Sequence, residues 1–442
     1  VSFFASVNIG IVSMPSPSLS ELELAAHWRD FDPNIVLVAC QNFADAQVEF
    51  DPALAQRASA VYVFDGHETV SVLTADPHEG AKAELGSATH PDLAVVQYTS
   101  GTTGGAKGAM MTHRNLLANA VQNTNWFDWG PEDVTVWILP LCHTWGVCCG
   151  MISTLLAGAH LVVDRPTHAD AARMGELFRK HGGSVLYASA TFLYRLIDDS
   201  ALKAEDFSSL RIVKAGAMLT QGNLKDRWDL LFPHAPLQQG YGLTEASPET
   251  HNNPPMRFKR GTVGIPIQST NCRIVDQNDD SVALGPDQEG EVAIQGPQVF
   301  AGYWGRPDAS AATLKDGWLL TGDIGRMDDE GYLTIVDRKK DLLKFRGFSI
   351  APANIENLMR EHPSVQDVVV VGKPDAVDGE IPVAFVVSES DLDVEDLKAF
   401  CKAYLARYEV PREFRRIPEV PKNHVGKPLR RALRSALQAE QE

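Results

Sequence analysis

Tyr98-Thr-Ser-Gly-Thr-Thr-Gly-Gly-Ala-Lys-Gly108 is the stretch on which the reading of this chain turns. It follows the apolar, β-branched run Leu93–Tyr98 and precedes a helical pattern over Leu116–Asn125, with Thr112 placed to cap it. Glycines at 101, 104, 105 and 108 leave backbone N–H groups uncovered. The hydroxyls of Thr99, Ser100, Thr102 and Thr103 add donors, and Lys107 adds a point charge. Donors that converge on a small space with no Cβ in the way suit a polyphosphate. The rival reading, a flexible surface loop, sits poorly between a strand and a helix. A Walker A loop is excluded, because that pattern needs Gly-Lys-Ser/Thr and Lys107 lies between Ala106 and Gly108.

On either side of this loop, strands alternate with helices. Asn34–Ala39, Ala60–Phe64, Val134–Leu139, Ser184–Ala188 and Leu210–Ala215 read as strands, and Ala169–Lys180 as a helix between two of them. That order predicts an α/β protein with largely parallel sheets. From Gly261 to Asp337, short alternating runs (Cys272–Asp276, Glu291–Gln295, Tyr332–Val336) separated by Gly and Pro predict a small antiparallel or barrel-like section. Asp337-Arg-Lys-Lys-Asp341 is a polar break. Beyond it, Ala353–His362 and Val394–Ala406 read as helices, and Val365–Val371 and Val383–Val387 as strands, a compact α+β unit. The expected division is residues 1–337, a hinge at 338–340, and residues 341–442.

At 442 residues the chain has room for about three domains or large subdomains at roughly 150 residues each. Hydrophobic residues are 44% and charged residues 22%, which excludes disordered, collagenous and fibrous classes. A net charge of −17 argues against a nucleic-acid-coating surface while leaving room for a local basic patch. Six cysteines (40, 142, 148, 149, 272 and 401) lack any CxxC spacing and read as reduced thiols of a cytoplasmic enzyme. The first residues carry no basic-plus-apolar pattern, so no signal segment is expected there. Trp145–Val163 is free of Asp, Glu, Lys and Arg, but Gly158 interrupts it, so a buried helix followed by a buried strand is expected rather than a membrane span. Val1–Asn8 reads as an apolar helical run, Gly10 as its C′ residue and Ile11–Met14 as a strand, so the chain is expected to begin inside a helix.

The loop resembles the signature of the adenylate-forming superfamily, with Ala106 where the family usually has Pro. Ala215-Gly-Ala217, Gln239-Gly-Tyr-Gly-Leu-Thr-Glu245, Gly317-Trp-Leu-Leu-Thr-Gly-Asp323, Asp337–Asp341, Lys344-Phe-Arg-Gly-Phe348 and Gly426-Lys427 match further family motifs in the family order. The resemblance implies a large N-terminal domain of α/β sheets with a distorted β-barrel section and a small mobile C-terminal domain. It also implies that a family N-terminal segment, with a strand and helices, is missing.

The same resemblance implies the site. Thr99, Ser100, Gly101, Thr102, Thr103, Gly104 and Lys107 would grip the ATP phosphates. Ala215, Gly216, Ala217 and Tyr241 would surround adenine, Tyr241 giving a flat face, and Gly240 and Gly242 would let the backbone approach the nucleotide. Thr244 would meet the α-phosphate and Glu245 the Mg²⁺, for which a carboxylate oxygen is suited. The residue-level alternative for Thr244-Glu245 is a helix cap. Asp323 and Arg338 would hold the ribose, against an Asx turn and a solvated hinge charge. His143, in Leu139-Pro-Leu-Cys-His-Thr-Trp-Gly146, would gate the acyl pocket, where the bland reading is a satisfied core histidine. A zinc site built on Cys142, His143, Cys148 and Cys149 fits no usual ligand spacing.

Lys427, in His424-Val-Gly-Lys-Pro-Leu-Arg-Arg431, would bridge the substrate carboxylate and the α-phosphate. Residues 412–434 carry eight Lys and Arg against two acids, so a solvated basic face is the alternative, and the same patch would suit the phosphates of CoA. Lys340 would be the hinge, and rotation about it would exchange Lys427 for the Lys344–Gly347 face, Gly347 lining a channel for the pantetheine arm. The reaction implied is acid–CoA ligation with ATP, Mg²⁺ and coenzyme A, through acyl-AMP. Tyr241–Pro255 and Gly296–Trp304 look most like medium- or long-chain fatty-acyl-CoA ligases, with an apolar tunnel between Trp145–Leu156, Thr191–Leu196 and Tyr241–Leu243. An aromatic acid, a carrier-protein acceptor, and a catalytically impaired nucleotide-binding fragment are the other readings. The partners implied are a small-molecule carboxylic acid, ATP and CoA, with no nucleic acid and at most peripheral membrane contact; oligomeric state stays open.

Overall fold

The computed structural model describes residues 92–99, 107–164, 170–216, 223–346, 348–375, 377–422 and 428–439, together with short strands before them. The chain forms two compact units: residues 1–113 with 301–310, and residues 114–300 with 311–442.

In the first unit, β1 (Val12–Ser13) runs parallel to β5 (Leu93–Thr99). A second sheet holds β2 (Ile35–Ala39), β3 (Ala60–Phe64) and β4 (Val70–Val72) in that order. The expected strands at 34–39, 60–64 and 93–98 are therefore present, and Val12–Ser13 falls in the expected 11–14 strand. The helix expected at 1–8 lies outside the described residues. One expectation is corrected. The phosphate loop does not run from a strand into a helix; it joins β5 to another strand, β6 (Lys107–Thr112), paired antiparallel from Thr99↔Lys107 to Leu93↔Thr112. Gly108 lies opposite Tyr98, and a Cβ there would come within 2.6 Å of Val96 Cγ1. Lys107–Thr112 (KGAMMT) holds no apolar β-branched residue and does not announce itself as a strand; its partner β5 makes it one. Thr112 ends that strand and stands directly before the expected helix, which begins at His113; residues 301–304 line the strand's other side, Trp304 N–H donating to Gly108 O at 2.8 Å and Met110 N–H to Gly302 O at 2.9 Å.

The second unit opens with α1 (His113–Trp126) and is built on a seven-stranded sheet. Its strands are β7 (Val134–Trp137), β8 (His160–Val163), β9 (Val185–Ser189), β10 (Ile212–Gly216), β11 (Leu237–Gly242), β12 (Glu249–Asn252) and β13 (Ile265–Pro266). The first five pair in parallel, in the order β11-β10-β9-β7-β8, and β12 and β13 continue the sheet antiparallel. One face buries Leu186, Ala188, Val213 and Ala215 under α2 (Ala171–His181), α3 (Ala190–Asp198) and α4 (Leu224–Leu231). Helix α2 shows why the sequence folds there: Asp170 caps its start by accepting from Arg173 N–H at 3.0 Å, Ala171, Met174 and Phe178 form the buried stripe, and Gly182 ends it at φ 66°.

The opposite face carries Trp137, Tyr187, Val185 and Ile212 against Phe127, Trp129, Trp145 and Cys149. Gly146–Ile152 is wound as a π-helix that continues into an α-helical turn at Ser153–Leu156, and Gly158 stops it at φ 71°. The strand expected after it, His160–Val163, is present but not buried: it is the sheet's edge, with Val163 54% exposed. No helix among the described residues is long and apolar enough to cross a membrane.

The antiparallel section is there as expected. Strands β14 (Asn271–Val275), β15 (Gly290–Gln295), β16 (Leu314–Lys315), β17 (Trp318–Met327) and β18 (Leu333–Arg338) pair antiparallel, with β18 on β17. After it come β19 (Leu343–Phe345), β20 (Phe348–Ile350), α5 (Pro352–Met359), β21 (Asp367–Asp375), β22 (Gly379–Val387), α6 (Val394–Tyr404), β23 (Glu413–Arg416) and α7 (Arg430–Ala439). The four consecutive valines 368–371 are buried on both sides of β21. Val368 and Val370 join the core of Ile355, Met359 and Leu397; Val369 and Val371 join that of Leu433 and Leu437.

Candidate functional site at the ends of the parallel strands

In a parallel sheet, ligands collect beyond the C-terminal ends of the strands. In the second unit that edge is formed by Ser189, Gly216 and Gly242, the last residues of β9, β10 and β11. Of the expected nucleotide residues, Ala215, Gly216, Gly240, Tyr241 and Gly242 lie here, but the glycines answer first to packing. Ala215 points its methyl into the apolar core and offers the edge only its backbone. A Cβ on Gly216 would stand 2.5 Å from the Trp145 indole; one on Gly242 would stand 2.0 Å from Pro248 O. At Gly240 it would meet Asn252 Oδ1 at 2.1 Å and Lys214 Cε at 2.9 Å.

Tyr241 is tied into a charged group that three distant segments build. Its hydroxyl donates to Asp323 Oδ2 at 2.5 Å, and Arg338 Nε pairs with Asp323 Oδ1 at 2.6 Å. Asp323 and Arg338 stand directly opposite each other on β17 and β18, and the Asp323 side chain is only 4% exposed. Burial, and then the Asp323 anion, hold the Tyr241 phenol well above its usual pKa, so it stays protonated. The same anion raises the Arg338 guanidinium. Gly322, in the Thr-Gly-Asp turn, takes φ 71°, and its N–H donates to Glu291 Oε1 at 3.0 Å. Thr244 and Glu245 sit half-buried on a single 3₁₀ turn, Thr244–Ala246, which Phe300 N–H fixes by donating to Glu245 O at 2.9 Å. The two-residue Thr-Glu pair thus starts a short helix and remains partly open to ligand.

His143 is half-buried before the π-helix, and its Nδ1 accepts from Trp145 N–H at 3.2 Å, which leaves the proton of the neutral ring on Nε2. Lys340 follows Arg338 on the turn after β18; partial burial and the neighbouring Arg338 cation lower its pKa. Lys344 is exposed on β19, its N–H donating to Glu380 Oε2 at 2.9 Å. In the first unit, the Lys107 ammonium lies 5.0 Å from the centre of the Tyr303 ring, a cation–π contact. Thr99 is described as the last residue of β5. Ser100, Gly101, Thr102, Thr103, Gly104, Ala217, Gly347 and Lys427 lie outside the described residues.

For the basic segment 412–434, where a solvated cationic face is the alternative reading, several of the described charges are ion-paired. Arg415 pairs with Glu413 at 2.7 Å, Arg416 with Asp391 at 2.9 Å, and Lys422 with Asp367 at 2.6 Å. Arg430 pairs with the buried Glu356. These acids lie mostly outside the segment, so linear charge counting misses them.

Three residues of this region escaped the sequence reading. Lys214 and Glu249 form a fully buried ion pair beneath Gly240. The signal was available: a single Lys in the apolar strand Ile-Val-Lys-Ala-Gly is out of place unless partnered. His251 packs against Tyr241, ring centres 5.9 Å apart, and burial drops its pKa to about 3, so it is neutral.

Residues 1–304 match the family model for the AMP-binding enzyme, and residues 354–427 that for the AMP-binding enzyme C-terminal domain. The chain is 41% identical over 353 residues to a long-chain-fatty-acid–CoA ligase of Escherichia coli O157:H7, covering 78% of this chain and 61% of that protein. It is 35% identical over 364 residues to 4-coumarate–CoA ligase 3 of Oryza sativa subsp. japonica, covering 79% of this chain and 65% of that one. The chain therefore spans less than two thirds of these relatives' length. Among solved structures, ATP-bound MatB from Rhodopseudomonas palustris superposes with a TM-score of 0.84 at 25% identity, covering 98% of this chain and 89% of that one. MenE from Bacillus subtilis in complex with ATP and magnesium ion superposes with a TM-score of 0.75 at 25% identity, covering 93% and 81%.

Proposed function

The chain belongs to the family of AMP-binding enzymes, and from that premise we propose that it is an ATP-dependent acid–CoA ligase. In the first half-reaction the substrate carboxylate attacks the α-phosphorus of ATP, giving acyl-AMP and pyrophosphate. In the second, the CoA thiolate attacks the mixed anhydride and AMP leaves. Little covalent work falls to the protein, so positioning and charge neutralisation carry the first step.

The observation that carries this reading is the Tyr241–Asp323–Arg338 group at the ends of the parallel strands. Each Asp323 oxygen engages one donor and keeps a lone pair for a ribose hydroxyl. Tyr241 presents its ring to the base, and Thr244 meets the α-phosphate. Lys107 and the glycine-rich loop hold the outer phosphates, and Lys427 aligns carboxylate and phosphate. His143 gates the acid. Mg²⁺ suits the chemistry of the half-buried Glu245 carboxylate: the ion is usually held by one or two carboxylates with the remaining positions filled by phosphate and water. Glu245 is the carboxylate that would hold it, and when bound it neutralises phosphate charge. For the second half-reaction the segment beyond residue 340 turns about Lys340, withdrawing Lys427 and bringing in Lys344 and Gly347.

The acid in this reading is a medium- or long-chain fatty acid, in line with the similarity to the fatty-acid ligases. The likeness to a 4-coumarate–CoA ligase favours an aromatic acid as the second reading. An ATP–pyrophosphate exchange screen over alkanoates of graded length and hydroxycinnamates decides between them. Exchange with alkanoates is the expected result. Exchange with hydroxycinnamates alone assigns the second reading, and exchange with no acid defeats both. Replacing CoA by a carrier protein's thiol in a second incubation separates the two acceptors.

A further inference from the structure

Lys214 stands two residues before Gly216 on β10, and Glu249 opens β12, just after the Thr244–Glu245 turn. Their ion pair is fully buried, with side-chain exposures of 2% and 4%. Strand β11 lies between those two strands, so the pair spans it. It crosses at Gly240, where a Cβ would come within 2.9 Å of Lys214 Cε. The ammonium is also flanked by the rings of Tyr187 and Phe127, 5.5 and 5.7 Å from their centres. Glu249 is gripped in turn. Asn252 Nδ2 donates to its Oε2 at 3.1 Å, its own N–H donates to Asn119 Oδ1 at 3.0 Å, and Asn119 Nδ2 donates to its carbonyl at 2.8 Å.

Burying two charges is expensive, and apolar side chains of similar volume often hold such a place as well or better. Stability therefore does not account for the pair. A short, directional link does what an apolar contact does not: it fixes where two strand ends stand relative to each other. Here one end carries the Ala215–Gly216 edge and the other follows directly from Thr244 and Glu245.

We propose that the Lys214–Glu249 pair is a positioning device for nucleotide binding, setting the Thr244–Glu245 turn against the Gly216 edge across Gly240 and Tyr241. Neither side chain touches the nucleotide. The inference rests on the nucleotide-site reading given above.

The test is the double variant K214M/E249M, which removes both charges and keeps the bulk. Its melting temperature is expected to hold or rise. Its Kd for the Mg²⁺ complex of a non-hydrolysable ATP analogue, measured by calorimetry, and its KM for MgATP in pyrophosphate exchange are expected to rise about tenfold, with KM for the acid unchanged. If the double variant does not fold, E249Q carries the same measurements, since it keeps the size of Glu249 and the Asn119 clamps. A variant that folds and binds the analogue as the wild type does overturns the proposal. So does a change confined to KM for the acid, which would move the pair into the acid pocket. Wild-type protein that binds the analogue but exchanges no pyrophosphate with any acid defeats the ligase reading and leaves the calorimetric comparison intact.

Discussion

Asp323 shows how one carboxylate organises a site from distant parts of the chain. It accepts from Tyr241, pairs with Arg338 and remains almost wholly buried. Such a group is rigid before ligand arrives, and that is what an electrostatically driven reaction needs. Lys427 is proposed to act in only one of the two half-reactions. Lys427→Ala is expected to slow acyl-AMP formation by about two to three orders of magnitude while sparing thioester formation from supplied acyl-AMP. Equal losses in the two half-reactions, each followed separately, contradict that role.

At the level of elements, the turn between β11 and β12 is the feature most sensitive to change. Its register shifts between Tyr241 and Gly242, and Gly242 lies against the Pro248 carbonyl. Backbone oxygen cannot step aside as a side chain does. Gly242→Ala is therefore expected to destabilise the protein by about 1–3 kcal/mol, read as a lower urea midpoint. An unchanged midpoint would mean that the turn opens without cost. The same logic explains Gly108 in β6 and Gly216 under Trp145: each is a glycine because a neighbour occupies the space.

On the scale of the molecule, the join between the antiparallel section and the C-terminal elements is held by a carboxylate. Asp337, on β18, accepts from Ala353 N–H at the start of α5 at 2.9 Å and from Arg338 N–H at 2.7 Å. Burial pushes its pKa from 3.8 up to about 6, although Arg430 nearby opposes the shift. A raised carboxyl pKa means that the folded chain keeps the proton longer than the unfolded one. The linked stability is present below the unfolded value and is lost as pH rises through the folded one. Wild-type melting temperature relative to Asp337→Asn is thus expected to fall between about pH 4 and 7; parallel curves across that range would contradict it. The proposed rotation about Lys340 has its own test. Gly347→Leu is expected to leave pyrophosphate exchange intact and lower thioester output, and a joint loss of both would remove the channel.

Much of this was legible in the chain, and the reason is local. Period and punctuation mark strands such as Ala60–Phe64 and helices such as α2, because β-branched runs, an Asp cap and a C-terminal glycine act within a few residues of themselves. The ordered motifs from the glycine-rich loop to Asp337–Asp341 point to nucleotide chemistry, because a phosphate, a base and a ribose each demand particular residue types. What stayed hidden depends on partners far along the chain. Lys107–Thr112 is a strand only because β5 lies beside it. The His160–Val163 strand is an edge rather than a core strand because it ends the strand order of its sheet among the described residues. Arg430 and Arg416 are paired with Glu356 and Asp391, and Lys214 is tolerable in a core strand only with Glu249 across β11. Composition and spacing decide which chemistry the residues suit; burial and pairing, which act through space, decide which charges meet and which glycines are forced.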